Sequence, residues 1–470
     1  MRLDFSARGN TSRRGSHMSR ASFPTLLDRV ALLIVFLLTG CASDGPFQID
    51  LMPAPDVYED GAVDPFVDDD PIANLPYGGV LFATDRQPAD QAHKEAFYLD
   101  KRGHVLRLGA ASVQLGGKGL SWEEARSISL AKNRTEEYPL RVTSISDFGV
   151  LENTIPRAFV EPSEFPPDVL DGDDEFAESI NDKLASSVRK HVYIYVHGYK
   201  VVFENPILVA TELWHFLGYD GVFIAYAWPA TPKRLAYVAD LETASYSAHN
   251  LRKLIEYISA NTNAEKIHVI GYSAGTRVVV DAIAQLALQR SHLDRAAIQS
   301  ELRLGHVVLI GSDFDRARFA AHINDGFLMV PEQVSIYLSG HDKALGISRW
   351  LFSRERLGQT WQQQQLKPSV ARFLRRHDEL EVIDVTDAEE SDSGNGHAYF
   401  RQSPWASSDM LMTLMYDLPP AERGLERSDQ SAIWTFPADY ISRLRRAVME
   451  ARPDLKLDGN TAGDEQGVTE

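Results

Sequence analysis

Six stretches between residues 191 and 387 are almost unbroken runs of apolar residues: HVYIYVHG (191–198), GVFIAYAWP (221–229), KIHVIGYS (266–273), LGHVVLIGSDFD (304–315), QVSIYLSGHD (333–342) and ELEVIDVTD (379–387). A strand with one wet face alternates apolar and polar residues; all but the last of these do not, so both faces of the sheet must be covered. Between several of them lie segments of helical spacing, at about 206–217, 234–260 and 274–290. Parallel strands need crossovers of that length. The pattern predicts an α/β fold with a mostly parallel sheet and helices on both faces. Three earlier strand-like runs, GGVLFATDR, HVLRLGAASVQLG and LRVTSISDFGVL, and a helical stretch over 176–188 make residues 77–187 a strand-rich N-terminal extension. The core is then expected over 188–445.

The run at 266 ends in Gly271-Tyr272-Ser273-Ala274-Gly275. An apolar strand precedes this Gly-x-Ser-x-Gly string and helical spacing follows it. That context marks a tight strand-to-helix turn that lifts the serine hydroxyl away from the sheet, with glycines where side chains would crowd strand and helix. A serine that merely caps a helix would also suit the position. A hydroxyl nucleophile needs a general base, and in this topology the acid and the histidine follow the serine in that order. Asp342 follows the apolar strand VSIYL, and His397 lies in the Gly-rich loop SDSGNGHAYF. Loops beyond strand C-termini gather at one edge of such a sheet, where Ser273, Asp342 and His397 can meet. Asp313, which ends the preceding strand, is the alternative acid. His341 adjoins Asp342 and is expected to stand aside.

The string His197-Gly198-Tyr199-Lys200 follows the first core strand. Gly198 allows the backbone a close approach to substrate. The N–H groups of Tyr199 and Ala274 are the candidate oxyanion donors. His197 reads as a structural hydrogen-bonding residue. Tyr199, Phe203, Tyr226 and Trp228 are candidates for an apolar pocket, or equally for core packing.

The strings VLFATDR, VYIYVHGY, GVFIAYAWPA, IHVIGYSAGTRVV, VSIYLSGHDKAL and VIDVTD…GHAYF, spread over about residues 78–415, resemble a bacterial alpha/beta-hydrolase family of unknown function with esterase- and lipase-like members. That resemblance implies Ser273 as nucleophile, Asp342 as acid and His397 as base, with no cofactor. Lys200, Val201 and Val202 depart from the small polar residues usual after HGY in that family. The expected activity is carboxyl ester cleavage through an acyl-enzyme. Thioesterase or amidase chemistry uses the same groups, and a non-catalytic envelope protein on this scaffold is the rival. The patterns of metal-dependent hydrolases, His-x-x-x-His and Cys/His sets, are absent from the sequence.

The N-terminus carries its own signal. From Met18, which is a candidate start, Arg20 and Arg29 precede the apolar run 30–38, too short for a comfortable span and fitting a secretory signal. It ends in Leu38-Thr39-Gly40-Cys41, which resembles the lipobox of bacterial lipoproteins. That implies acyl chains on Cys41, the only cysteine in the chain, and, with Ala42 next, an outer-membrane anchor facing periplasm or cell surface. Residues 1–40 hold six basic and two acidic residues, so their removal takes the formal charge from −18 to −22. Such a chain repels nucleic acid and has no polybasic membrane patch, leaving lipid as the membrane partner. Residues 41–76, rich in Pro and Asp, read as a solvated tether, and 446–470 as an acidic tail. The segment 347–377 reads as a covering helix or a lid.

Overall fold

The computed structural model describes residues 47–451 except 60, 62, 67–69, 71–78, 91, 94–95, 118, 159–171, 233–236, 346–355, 358–367 and 428–430. The signal, Cys41, the far tail and most of 347–367 lie outside the described residues. No helix among the described residues is long and apolar enough to cross a membrane.

Among the described residues eleven strands form one sheet: β1 (Gln48–Asp50), β2 (Val80–Pro88), β3 (Tyr98–Leu115), β4 (Pro139–Val150), β5 (His191–Val196), β6 (Val222–Tyr226), β7 (Lys266–Tyr272), β8 (Leu304–Ile310), β9 (Gln333–Leu338), β10 (Leu380–Asp384) and β11 (Trp434–Thr435). Their order is β1-β4-β3-β2-β6-β5-β7-β8-β9-β10-β11. From β2 to β11 every neighbouring pair is parallel, and β1, β4 and β3 add an antiparallel flank. The expected α/β fold is therefore present, and its strand-rich extension continues the same sheet.

Helices α1 (Trp122–Ser129), α2 (Gly172–Ser186), α3 (Glu204–Phe216), α4 (Tyr237–Asn261), α5 (Gly275–Gln289), α6 (Arg295–Leu302), α7 (Arg316–Asn324), α8 (Pro368–Leu374), α9 (Tyr399–Gln402), α10 (Pro404–Tyr416) and α11 (Tyr440–Ala451) accompany it. Local chemistry starts several of them. The Ser121 hydroxyl and Glu124 form a capping box on α1, Asp294 caps α6, and Ser403 caps α10 with Pro404 in its first turn.

The unbroken apolar runs have the cause the sequence suggests. Val192, Ile194 and Val196 of β5 enter one core with side chains of α2, α4 and α5. Tyr193 and Tyr195 enter a second core with α3, α10 and α11. Alternate residues serve opposite faces, and both faces are filled.

Two expectations are corrected. The described residues between 47 and 66 are not a solvated tether. Leu51, Met52, Ala54, Val57, Tyr58 and Val63 are buried in the second core, β1 pairs with β4, and the Tyr58 hydroxyl donates to Phe216 O at 2.7 Å. Proline and aspartate punctuate this strip, but its apolar residues find a groove between α3 and the C-terminal helices. Nor does the tail begin at 446: α11 runs to Ala451 and buries Val448. The order β6-β5-β7 places successive crossovers on opposite sides of β5, so the loops after β5 and β7 flank a switch point, where such sheets open a crevice.

Candidate active site

Ser273 stands at the turn between β7 and α5 with φ of 53°, in the left-handed region that costs a non-glycine residue strain. Its N–H donates to Ile310 O at 2.9 Å, and its carbonyl accepts the Thr276 hydroxyl at 2.6 Å, so neighbours on β8 and α5 hold the strain. The glycines around it are required by proximity. A Cβ on Gly275 would lie 2.2 Å from His197 O, and one on Gly271 2.9 Å from a Val279 methyl. A Cβ on Gly198 would meet Ser273 Cβ at 3.0 Å, so the loop after β5 passes directly beside the nucleophile candidate.

The three expected groups meet. Ser273 Oγ lies 2.8 Å from His397 Nε2, across 124 residues of sequence. On the other side of the ring, Nδ1 lies 2.7 Å from Asp342 Oδ2. The carboxylate fixes the tautomer: Nδ1–H donates to Asp342, leaving Nε2 to accept the serine proton. Asp342 Oδ1 accepts the Leu345 N–H at 2.9 Å, so both carboxylate oxygens are engaged. The His397 N–H donates to Asn395 Oδ1 at 3.1 Å, and the Tyr272 ring lies 5.1 Å from the imidazole. A hydroxyl, an imidazole and a carboxylate in this line can generate an alkoxide-like nucleophile without a cofactor.

The sequence model of a family described as alpha/beta hydrolase of unknown function (DUF900) matches residues 172–413. The chain belongs to this family. The DUF900 region runs from α2 into α10 and contains Ser273, Asp342 and His397, while β1 to β4 precede it. No curated protein and no solved structure matches the chain.

Other candidates take different places in this DUF900 domain. Asp313, the alternative acid, pairs with Arg277 at 3.0 Å and with Arg356 at 3.4 Å, not with His397. His341 is exposed. His197 is fully buried. Its Nδ1 lies 2.6 Å from Gly198 O and its Nε2 3.0 Å from Trp228 O, and its ring stacks on Trp228. Burial, helped by the Arg86 charge, pushes it down to about 3, against the two carbonyl contacts, which favour the charged ring. Because the peptide is planar and trans, holding Gly198 O also aims the Tyr199 N–H the opposite way. Ala274 occupies the N-cap position of α5, at the positive end of the helix dipole.

Of the two roles left open for the aromatic candidates, three residues take core packing. Phe203, Tyr226 and Trp228 are at most 1% exposed and present no surface to a ligand. Phe203 sits among Phe82, Phe97 and Tyr98, Tyr226 donates to Ser247 O, and Trp228 donates to His197 O. Tyr199 is half-buried. Sequence reasoning missed Arg86, a fully buried guanidinium on β2. It pairs with Asp100 at 2.6 Å and donates to Val201 O at 3.0 Å and Ala230 O at 3.5 Å, tying together the loops after β5 and β6. An arginine closing an apolar strand in VLFATDR was the available signal. Among the described residues no group of three or more His, Cys, Asp or Glu side chains is arranged to hold a metal ion.

Proposed function

We propose that the protein is a serine hydrolase that cleaves carboxyl esters and is held at a membrane by acyl chains on Cys41. The observation that carries the catalytic part is His397, 2.8 Å from Ser273 Oγ through one nitrogen and 2.7 Å from Asp342 through the other. Ser273 Oγ attacks the ester carbonyl carbon while His397 Nε2 takes its proton. Asp342 holds the imidazolium so formed. The oxyanion lies between the N–H groups of Tyr199 and Ala274, each typically worth about 3 kcal/mol to the transition state. Collapse breaks the bond to the alkoxy group, which leaves with the proton from His397. Water, deprotonated by the same histidine, then releases the carboxylic acid and restores Ser273. Esters suit this machinery because their leaving group needs less protonation than an amine.

The test is a p-nitrophenyl ester series from acetate to palmitate, run beside Ser273→Ala and a fluorophosphonate probe. We expect turnover and covalent labelling in the parent and neither in the variant. Turnover that survives Ser273→Ala, or a parent chain inert to every ester and to the probe, overturns the reading and leaves a non-catalytic scaffold. For the anchor, labelled palmitate should enter the parent chain in a bacterial host and co-fractionate with outer membrane. A Cys41→Ser chain that still takes up the label and sediments with membrane refutes that part.

A further inference from the structure

The helix that follows His397 carries a group the reaction does not touch. Tyr399 is buried, and its hydroxyl meets two other elements. It accepts the Gly311 N–H at 2.7 Å and donates to Tyr337 O at 2.7 Å. Gly311 follows β8 and Tyr337 belongs to β9, whose last paired residues are Ile310 and Tyr337. Just beyond that pair the direct Gly311 N to Tyr337 O contact has lengthened to 3.3 Å. The hydroxyl thus bridges β8 and β9 where they begin to part.

Gly311 is also the floor beneath the imidazole. A Cβ there would lie 3.2 Å from His397 Cε1, 3.3 Å from Nδ1 and 3.5 Å from Asp342 Oδ2, and its φ of 51° suits glycine. One oxygen atom therefore joins the loop that bears the base, the strand that leads to the acid, and the residue on which their hydrogen bond rests. We infer that Tyr399 is a positioning residue: its hydroxyl sets the height and tilt of His397 between Ser273 and Asp342. Misplacement by a fraction of an ångström degrades an aligned proton transfer far more than it degrades folding.

The inference rests on the serine-hydrolase reading, so its experiment must fail separately. Tyr399→Phe keeps the ring and deletes only the oxygen. Tyr58→Phe, which removes a buried hydroxyl bonded to Phe216 O on another part of the second core, is the matched control. Four quantities are read: kcat and KM on p-nitrophenyl butyrate, the melting temperature, and the downfield proton resonance of a histidine N–H bonded to carboxylate. In Tyr399→Phe we expect kcat to fall about 10- to 100-fold, KM to stay within about threefold, and the resonance to broaden or move upfield. Tyr58→Phe should lose comparable thermal stability with kcat and resonance intact. A parent with no downfield resonance and full turnover in Ser273→Ala defeats the triad reading itself. A parent with the resonance, whose Tyr399→Phe form keeps both it and kcat within twofold, defeats only the role of Tyr399. Should Tyr399→Phe not fold, Gly311→Ala presses on the same floor and must give the same loss of kcat and resonance; unchanged values there overturn the inference.

Discussion

Asp342 and Asp313 follow neighbouring strands, yet only Asp342 faces the imidazole, while Asp313 is engaged by Arg277 and Arg356. Asp342→Asn should therefore lower kcat about 10³- to 10⁴-fold, because an amide no longer selects the tautomer that leaves Nε2 free to accept. Asp313→Asn should keep kcat within tenfold and instead lower the urea midpoint, since it removes a carboxylate from two part-buried or buried guanidinium groups. Equal losses of kcat in the two variants would contradict the assignment. The three groups proposed to react were legible because each follows an apolar run and has glycine beside it or close by. Tyr399 was not: its partners Gly311 and Tyr337 lie 88 and 62 residues away, and a core tyrosine looks the same in sequence. Phe203, Tyr226 and Trp228 were left equally open between pocket and core for a related reason: aromatic character reveals burial, not whether a ring meets the cleft.

At the scale of elements, the sheet and its crossovers were written in the period of the apolar runs, but the docking of residues 47–66 was not. Its Pro and Asp content reads as solvated chain; what fixes it is a buried carboxylate on α3. Glu212 accepts the Met52 N–H and binds Arg401 of α9 at 2.6 and 3.1 Å, and Arg401 also donates to Asp50 O at 3.0 Å. Glu212→Ala leaves a largely buried guanidinium and a buried N–H without their partner. We expect a loss of about 3–5 kcal/mol in urea unfolding, with early protease cleavage between residues 47 and 66. A stability change under 1 kcal/mol, or cleavage elsewhere first, would show that the strip is held by its apolar residues alone.

Across the whole molecule, buried histidines make the fold acid-sensitive. His215 lies between the Ser129 and Tyr219 hydroxyls, each 2.6 Å from a ring nitrogen, and burial pushes it down to about 3. An unfolded histidine titrates near 6.5. As pH falls from 6.5 toward 3 the unfolded chain takes up a proton that the folded chain refuses, so stability is lost over that window. Buried acids such as Asp85 and Glu381, raised by desolvation, act with the opposite sign, so the comparison must be relative. Between pH 7 and pH 5 the parent should lose about 2 kcal/mol more than His215→Gln in urea titrations; parallel pH curves would remove His215 from the account. One further consequence belongs to this scale. Arg445 on the last helix reaches back to Asp56, and Ser408 accepts the Val57 N–H at 3.1 Å. Residues 51–58 thus gain the C-terminal side of their groove only once α10 and α11 have been synthesised, and a nascent chain halted short of those helices would leave that side of the strip uncovered.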